Sequence, residues 1–462
     1  MANNSKNLTE GPLAKKILFF SIPLIISNIL QVLFNMSDIA VVGQFSGSGA
    51  LGSVGSTTTI VTLATGILIG VGSGVNVVVA KYLGAKSRKD VREAVHSAFI
   101  ISLITGLVLL LAGVLFSRNI LEILKTKEEL IDGAALYLKI YSFGMPALAI
   151  YNFGNAVLSA SGNTKKPLYY LLAAGIINVL LNLFFVIVCK MSVDGVAIAS
   201  ITSQYISAIL ILISLLRSKD DYSLRFSELR LYKGKTREVV SLGIPAGLQN
   251  AIFQLANLFI QAGVNSFDAV MVEGNSAAAN ADALVYDVMT AFYTACSSFM
   301  GQNFGANKKD RMLKSYFISL AYSFGAGAIL GFSLVALGRP FLSIFTSESA
   351  VVDAGMKRLV IMGFSYCLSA FMDCTIAASR GIGKSFVPTV IVIMGSCVFR
   401  VIWIYTIFAH FGTITSLYLL YSFSWTITAA AEIIYFVFSY KKLGKSALIT
   451  RLKETHNMTE AN

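Results

Sequence analysis

Twelve apolar blocks, each about 20 residues or longer, divide this chain, and a block of that length is long enough to cross a bilayer as a helix. They run Ile17 to Val42, Val54 to Ala80, Val95 to Phe116, Leu136 to Ala160, Leu168 to Cys189, Val196 to Leu216, Val239 to Val264, Ala277 to Gln302, Ser315 to Leu337, Leu359 to Ala378, Val387 to Phe408 and Ile414 to Ser439. In hydrocarbon a backbone must satisfy its own hydrogen bonds, and the period-two alternation of a barrel is absent, so the blocks are expected as helices. Of the 462 residues 55% are hydrophobic and only 13% charged, against about a quarter charged in soluble proteins, which excludes an ordinary soluble enzyme. The first block, after Lys15 and Lys16, is too long for a signal peptide and has no small-residue cleavage site. It is expected to stay in the protein.

The net charge of +13 is confined to short connections and shows no basic stripe interleaved with aromatics, so nucleic acid is not an expected partner. Of the 37 basic residues, 28 fall in alternate connections, including Lys81 to Arg92, Arg217 to Arg237 and Lys441 to Lys453. The opposite set holds eight: Arg118, Lys125, Lys127, Lys139, Lys190, Arg339, Lys357 and Arg358. Arg400 is left inside a span. By the excess of Lys and Arg on the cytoplasmic side, both termini are expected in the cytoplasm. The five cysteines lack a CxxC pair or zinc-ligand spacing and read as small apolar packing residues.

Sliding the second half over the first by about 222 positions aligns Ser21-Ile22-Pro23 with Gly243-Ile244-Pro245, Asn28 with Asn250, and Asn178 with Arg400. Leu83-Gly84-Ala85-Lys86 then meets Phe304-Gly305-Ala306-Asn307. Six spans per copy is an even number, so both copies cross in the same direction. The fold class expected is an all-α polytopic membrane protein: twelve transmembrane helices in two six-helix lobes related by a pseudo-twofold axis along the membrane normal. The parts are a cytoplasmic N-terminus (1–16), an N-terminal lobe (17–216), a linker (217–238), a C-terminal lobe (239–439) and a cytoplasmic tail (440–462).

At about 100° per residue, Asn28, Gln31, Asn35 and Asp38 share roughly 80° of arc on span one, and Asn250, Gln254, Asn257 and Gln261 roughly 60° on span seven. Span two carries Thr58, Thr62, Thr65 and Asn76, and span eight Asn280, Asp287, Thr290 and Thr294. Such stripes can be interhelical hydrogen-bond glue. Four of them on repeat-related spans point instead to a substrate passage between lobes. Carboxylates inside spans are costly and therefore informative: Asp38, Asp282, Asp287, Asp373 and Glu432. Asp38 is within reach of Asn178 and Asn182 if spans one and five pack together; Asp373 shares a face with Ser365 and Ser369; each of the five could titrate, but Asp282 and Glu432 are expected rather as groups near the interface or neutralised by a neighbour.

The segment SIPLIISNILQVLFNMSDIAVVGQF (Ser21 to Phe45) resembles span one of the multidrug and toxic compound extrusion (MATE) transporters. GQNFGANKKDR from Gly301, SRGIGKSFVP from Ser379, and Asn178 followed by GVAIAS at Gly195 to Ser200 extend the likeness over nearly the whole chain, closest to the DinF-like bacterial branch. The resemblance implies a cation or proton site of Asp38, Asn178, Asn182 and Ser200, and a bend in span one near Pro23. Asn182 stands where the family often has aspartate, which leaves the site one carboxylate. Phe253 and Gln254 stand where sodium-coupled relatives carry a glutamate. The resemblance therefore implies a proton-coupled antiporter exporting amphipathic, mainly cationic compounds in the inner (plasma) membrane, with sodium coupling or a flippase for a lipid-linked precursor as alternatives. The substrate cavity expected is Asn28, Gln31, Asn35, Asn250, Gln254, Asn257, Gln261, Asp287 and Asp373. No cofactor is expected beyond the coupling ion, H+ or Na+; the partners are small organic molecules and the lipid bilayer, and the chain is expected as a monomer. An enzyme fits poorly: there is no HExxH or GxSxG, and Gly383-Lys384-Ser385 mimics a P-loop only at its end, with Ala378 in place of the first glycine.

Overall fold

The computed structural model describes residues 7–460, which form helices and short connections without a strand. Residues 1–6 and 461–462, the ends of the expected N-terminus and tail, lie outside the described residues. The helices are α1 (Leu13–Phe45), α2 (Gly47–Gly84), α3 (Arg88–Ile123), α4 (Glu128–Ser142), α5 (Met145–Ala160), α6 (Lys165–Leu183), α7 (Val193–Leu216), α8 (Lys233–Val264), α9 (Ala269–Gly305), α10 (Lys309–Leu342), α11 (Ser349–Gly381), α12 (Phe386–Val392), α13 (Phe399–Trp403), α14 (Ala409–Phe411) and α15 (Ile414–Glu460). α6 runs on into a π-helical stretch, Phe184–Val188, and α12 to α14 form one rod joined by two more, Ile393–Val398 and Ile404–Phe408.

Among the described residues ten of these rods are long and apolar enough to cross a membrane, and eleven if α4 and α5 count as one. The chain is thus an all-α polytopic membrane protein. The fourth expected span is not one straight helix. α4 and α5 meet at 48° across Phe143 and Gly144, because Pro146 in the first turn of α5 has no N–H to continue the ladder. The eighth expected span lies within α9, whose 37 residues are ample in length but which, carrying Asn275, Asn280, Asp282 and Asp287, is not among those ten. α1 and α8 run unbroken through Pro23 and Pro245.

Two large apolar cores lie mainly one in each half of the chain. One joins α2, α3, α5, α7, the linker and the start of α8 around Phe99, Phe153 and Ile211; another joins the end of α8 with α9, α10, α11 and α15 around Tyr366, Met300 and Tyr418. The halves meet where α2 crosses α8 and α9, and there side chains are removed to let backbones touch. A Cβ on Gly70 would sit 2.2 Å from the Gly247 nitrogen, and one on Gly74 2.5 Å from the Gly243 nitrogen. Near the ends of α2 and α9, Asn76 accepts a hydrogen bond from Ser298 at 3.0 Å.

The connection between halves is shorter than expected, because Lys233 to Glu238 form the first turns of α8. What remains is pinned to α3. His96 is buried and accepts from the Arg225 N–H at 3.0 Å, Ser97 accepts from the Tyr232 N–H at 3.0 Å, and Tyr222 and Leu224 enter the N-terminal core. Burial, with the Asp220 carboxylate its hydroxyl donates to, pushes the Tyr222 phenol up to about 12. Lys81 and Tyr82 of α2 both donate to Glu238 of α8, at 3.1 and 2.7 Å.

The segment before α1 forms a strap across both halves. The Leu8 N–H donates to Gln302 Oε1 at 3.1 Å, and Gln302 Nε2 donates to the Ala160 carbonyl at 2.7 Å. The carbonyls of Thr9 and Glu10 accept from Lys308 and Arg311 at 2.9 and 2.8 Å, while the Leu8 side chain packs with Phe299.

Arg358, expected in a connection, is instead buried in α11. It pairs with Asp282 of α9, which Tyr366 also donates to, and gives a 2.7 Å hydrogen bond to Asn275. Asp282 is therefore a neutralised structural group. Removing one partner of such a pair leaves a buried unpaired charge, so Arg358→Met should lower stability by about 3–5 kcal/mol. Arg358→Met combined with Asp282→Leu should recover most of that loss; thermal unfolding of the detergent-solubilised protein measures both. Of the cysteines, Cys296, Cys374 and Cys397 are buried as expected, whereas Cys189 is exposed.

Candidate functional site: a carboxylate among amides

Asp38 sits more than two thirds of the way along α1, facing α6 and α7. The approach of α1 to α6 depends on Gly175, where a Cβ would fall 1.9 Å from the Phe34 ring. Asn178 and Asn182 lie one and two turns further along the same face of α6, both buried. Asn182 Nδ2 donates to Asp38 Oδ1 and, at 3.3 Å, to Asn178 Oδ1. Ser200 Oγ of α7 donates to Asp38 Oδ2 at 3.1 Å. The structure thus brings Asp38, Asn182 and Ser200 into direct contact, with Asn178 joined through Asn182.

Both Asp38 oxygens accept, and among the described residues no basic side chain pairs with them. Asn182 Oδ1 is buried without a hydrogen-bond partner among the described residues. A lone carboxylate, an orphaned amide oxygen and a second amide oxygen beside it form an all-oxygen cluster able to take one monovalent cation or proton. Tyr137 and Tyr141 of α4, stacked at 5.7 Å, lie close enough to feel the Asp38 charge. Sequence reasoning missed them because their helix joins the site only through the fold.

The other stripe residues divide. Asn28 Nδ2 donates to the Asp287 carbonyl at 2.8 Å, and Asn250 Nδ2 to the Gly66 carbonyl at 3.0 Å. These repeat-related amides tie each half to the other. Asn76 does likewise, donating to the Ala156 carbonyl at 3.1 Å while accepting from Ser298. Gln31, Asn35, Thr58, Thr62 and Asn280 are exposed, and Gln254, Asp287, Thr65 and Thr290 half-buried. Gln261 turns toward Asn265, to which it donates at 2.8 Å, and Asn257 accepts from Arg400 at 3.4 Å. Asp373 of α11 accepts from Tyr286 at 3.3 Å. Glu432 is fully buried on α15, and both its oxygens lack a hydrogen-bond partner among the described residues.

The MatE family model matches this chain twice, over residues 23–184 and again over 245–406. The chain belongs to the MatE family. Membership makes it a membrane transporter and not an enzyme, and the double match carries the same 222-residue displacement seen in the sequence. The MatE chain is 29% identical over 363 residues to the probable multidrug resistance protein YpnP of Bacillus subtilis (strain 168), covering 78% of this chain and 80% of that protein. It is 24% identical over 366 residues to an FAD transporter of Shewanella oneidensis, covering 78% and 80%. Its fold matches a structure described as the outward-facing conformation of a multidrug resistance MATE family transporter of the MOP superfamily. The TM-score is 0.88 at 19% identity, over 96% of this chain and 100% of that one.

Proposed function

We propose that this protein is a secondary-active antiporter of the DinF-like branch, exporting amphipathic, mainly cationic organic compounds in exchange for inward-moving protons. The Asp38 cluster carries the reading. An acidic group held by neutral donors can exchange its positive guest, and coupling arises if the affinity for that guest differs between inward- and outward-open states. Asp38 binds the ion, Asn178, Asn182 and Ser200 orient it, and α1 flexes at Pro23. The relation to YpnP supports organic drugs as cargo.

In this reading α9 is the twelfth span, the two halves are six-helix lobes, both termini are cytoplasmic and a monomer works in the plasma membrane. The exposed polar residues Gln31, Asn35, Thr58 and Thr62 then line an outward-open cavity together with Gln254, Asn257, Asp287 and Asp373. The glycine crossings from Gly66 to Gly84 close its cytoplasmic side. Sodium is a second reading, favoured by the orphaned Asn182 oxygen, since an oxygen-only cluster suits a hard cation.

The test is transport of a fluorescent organic cation into everted vesicles under separately imposed proton and sodium gradients. A proton gradient alone should drive uptake. Uptake driven by sodium alone selects the second reading, and uptake indifferent to both gradients removes ion coupling.

A further inference from the structure

Under the 222-residue displacement the Asp38 cluster has a counterpart in the C-terminal half, and its chemistry is inverted. The register over the matched residues rests on two observations: the paired limits of the family match and the contact of Asn76 with Ser298. In that register Asp38 becomes Ile260, Asn182 becomes Ile404 and Asn178 becomes Arg400. The acid is gone, and a permanent cation stands where an amide stood.

Arg400 is 0% exposed. Its Nε donates to Ser424 at 3.2 Å and one terminal nitrogen to Asn257 at 3.4 Å, while the other is buried without a partner among the described residues. The guanidinium lies 4.7 Å from the Phe253 and Tyr421 ring centroids and 6.0 Å from that of Trp425. Aromatic faces hold a desolvated cation well. The position that matches Phe253 in the N-terminal half is Gln31, a polar group in place of a ring. Among the described residues the titratable groups whose charge reaches Arg400 are Asp373 of α11, Tyr286 of α9, Tyr421 of α15 and Cys397 before α13.

We propose that Arg400 is a resident cation: it fills, in the C-terminal half, the place that the exchangeable ion takes beside Asp38, so that only the N-terminal half exchanges an ion. A guanidinium does not deprotonate in a protein, so this half is loaded throughout the cycle. Its bond to Asn257 holds α8, which carries Pro245 at the position matching Pro23, in the loaded arrangement. The single-ion stoichiometry rests on the Asp38 reading; the need for a cation at position 400 does not.

The experiment is chemical rescue in proteoliposomes. Arg400→Ala should cut transport of a fluorescent organic cation about tenfold or more, within the range of about 5–150-fold typical of coupling energies. Millimolar guanidinium should restore a substantial part of it, and urea, the neutral molecule of the same shape, should not. Arg400→Lys should keep most activity. Arg400→Gln, which preserves bulk and hydrogen bonding, should melt near the wild-type temperature yet transport poorly, and it serves if the alanine variant does not fold. Wild-type transport by Arg400→Gln, or equal rescue by urea and guanidinium, overturns the proposal. Protons released when the organic cation binds to purified protein report on the two sites separately. Asp38→Asn should abolish the release and Arg400→Lys should leave it unchanged. Persistent release in Asp38→Asn sinks the Asp38 reading while the rescue result stands.

Discussion

Asp38→Asn should leave a protein that inserts, folds and binds its organic substrate but no longer moves it against a gradient. The substitution keeps the shape and an oxygen for Ser200 to donate to, and removes the single negative charge of the cluster. An amide there mimics the occupied carboxylate in every state, so under the proposed mechanism the affinity difference linking ion to substrate collapses. Coupling energies of about 1–3 kcal/mol translate into about 5–150-fold, and proton-driven uptake of a fluorescent cation should fall by that order. Downhill efflux should persist. Uptake in everted vesicles equal to the wild type would remove Asp38 from the mechanism.

The second large effect is expected far from any charge. Gly70→Val places a branched side chain where even one carbon would overlap the backbone of Gly247, and neither helix has a flexible group there to yield. α2 and α8 must separate. Overpacking of this kind costs about 1–3 kcal/mol or more, and here the strain falls on the crossing proposed above to close one side of the cavity. Transport should drop to background, and a cysteine introduced at the half-buried Ser73 should become accessible to a water-soluble maleimide. Gly325→Ala on α10, where a Cβ meets nothing within 4 Å, should leave transport and melting temperature unchanged. Normal transport by Gly70→Val would show that the crossing opens freely.

The spans are legible in the sequence because the bilayer leaves a backbone few options, so long apolar blocks become helices whatever surrounds them. The break between α4 and α5 is hidden there, because Pro146 lies within a continuous apolar run that conceals its role as a helix start. Polar stripes are harder. Period places Asn28, Asn250 and Asp38 on inner faces but does not say whether an amide meets water or a carbonyl 2.8 Å away; two of the three are ties. Arg358 looks like a loop residue beside its neighbour Lys357, and only the position of α9 shows its partner Asp282. The ring cage of Arg400 is drawn from α8 and α15, far apart in sequence, and no local pattern announces it.

The strap before α1 bears on how the protein can be handled. Leu8 and Thr9 are buried against the end of α9 and the turn after it, and the chain start therefore works as a wedge under the far half. An affinity tag or fluorescent fusion joined close to Leu8 would pull on that wedge and bias the population it is meant to report.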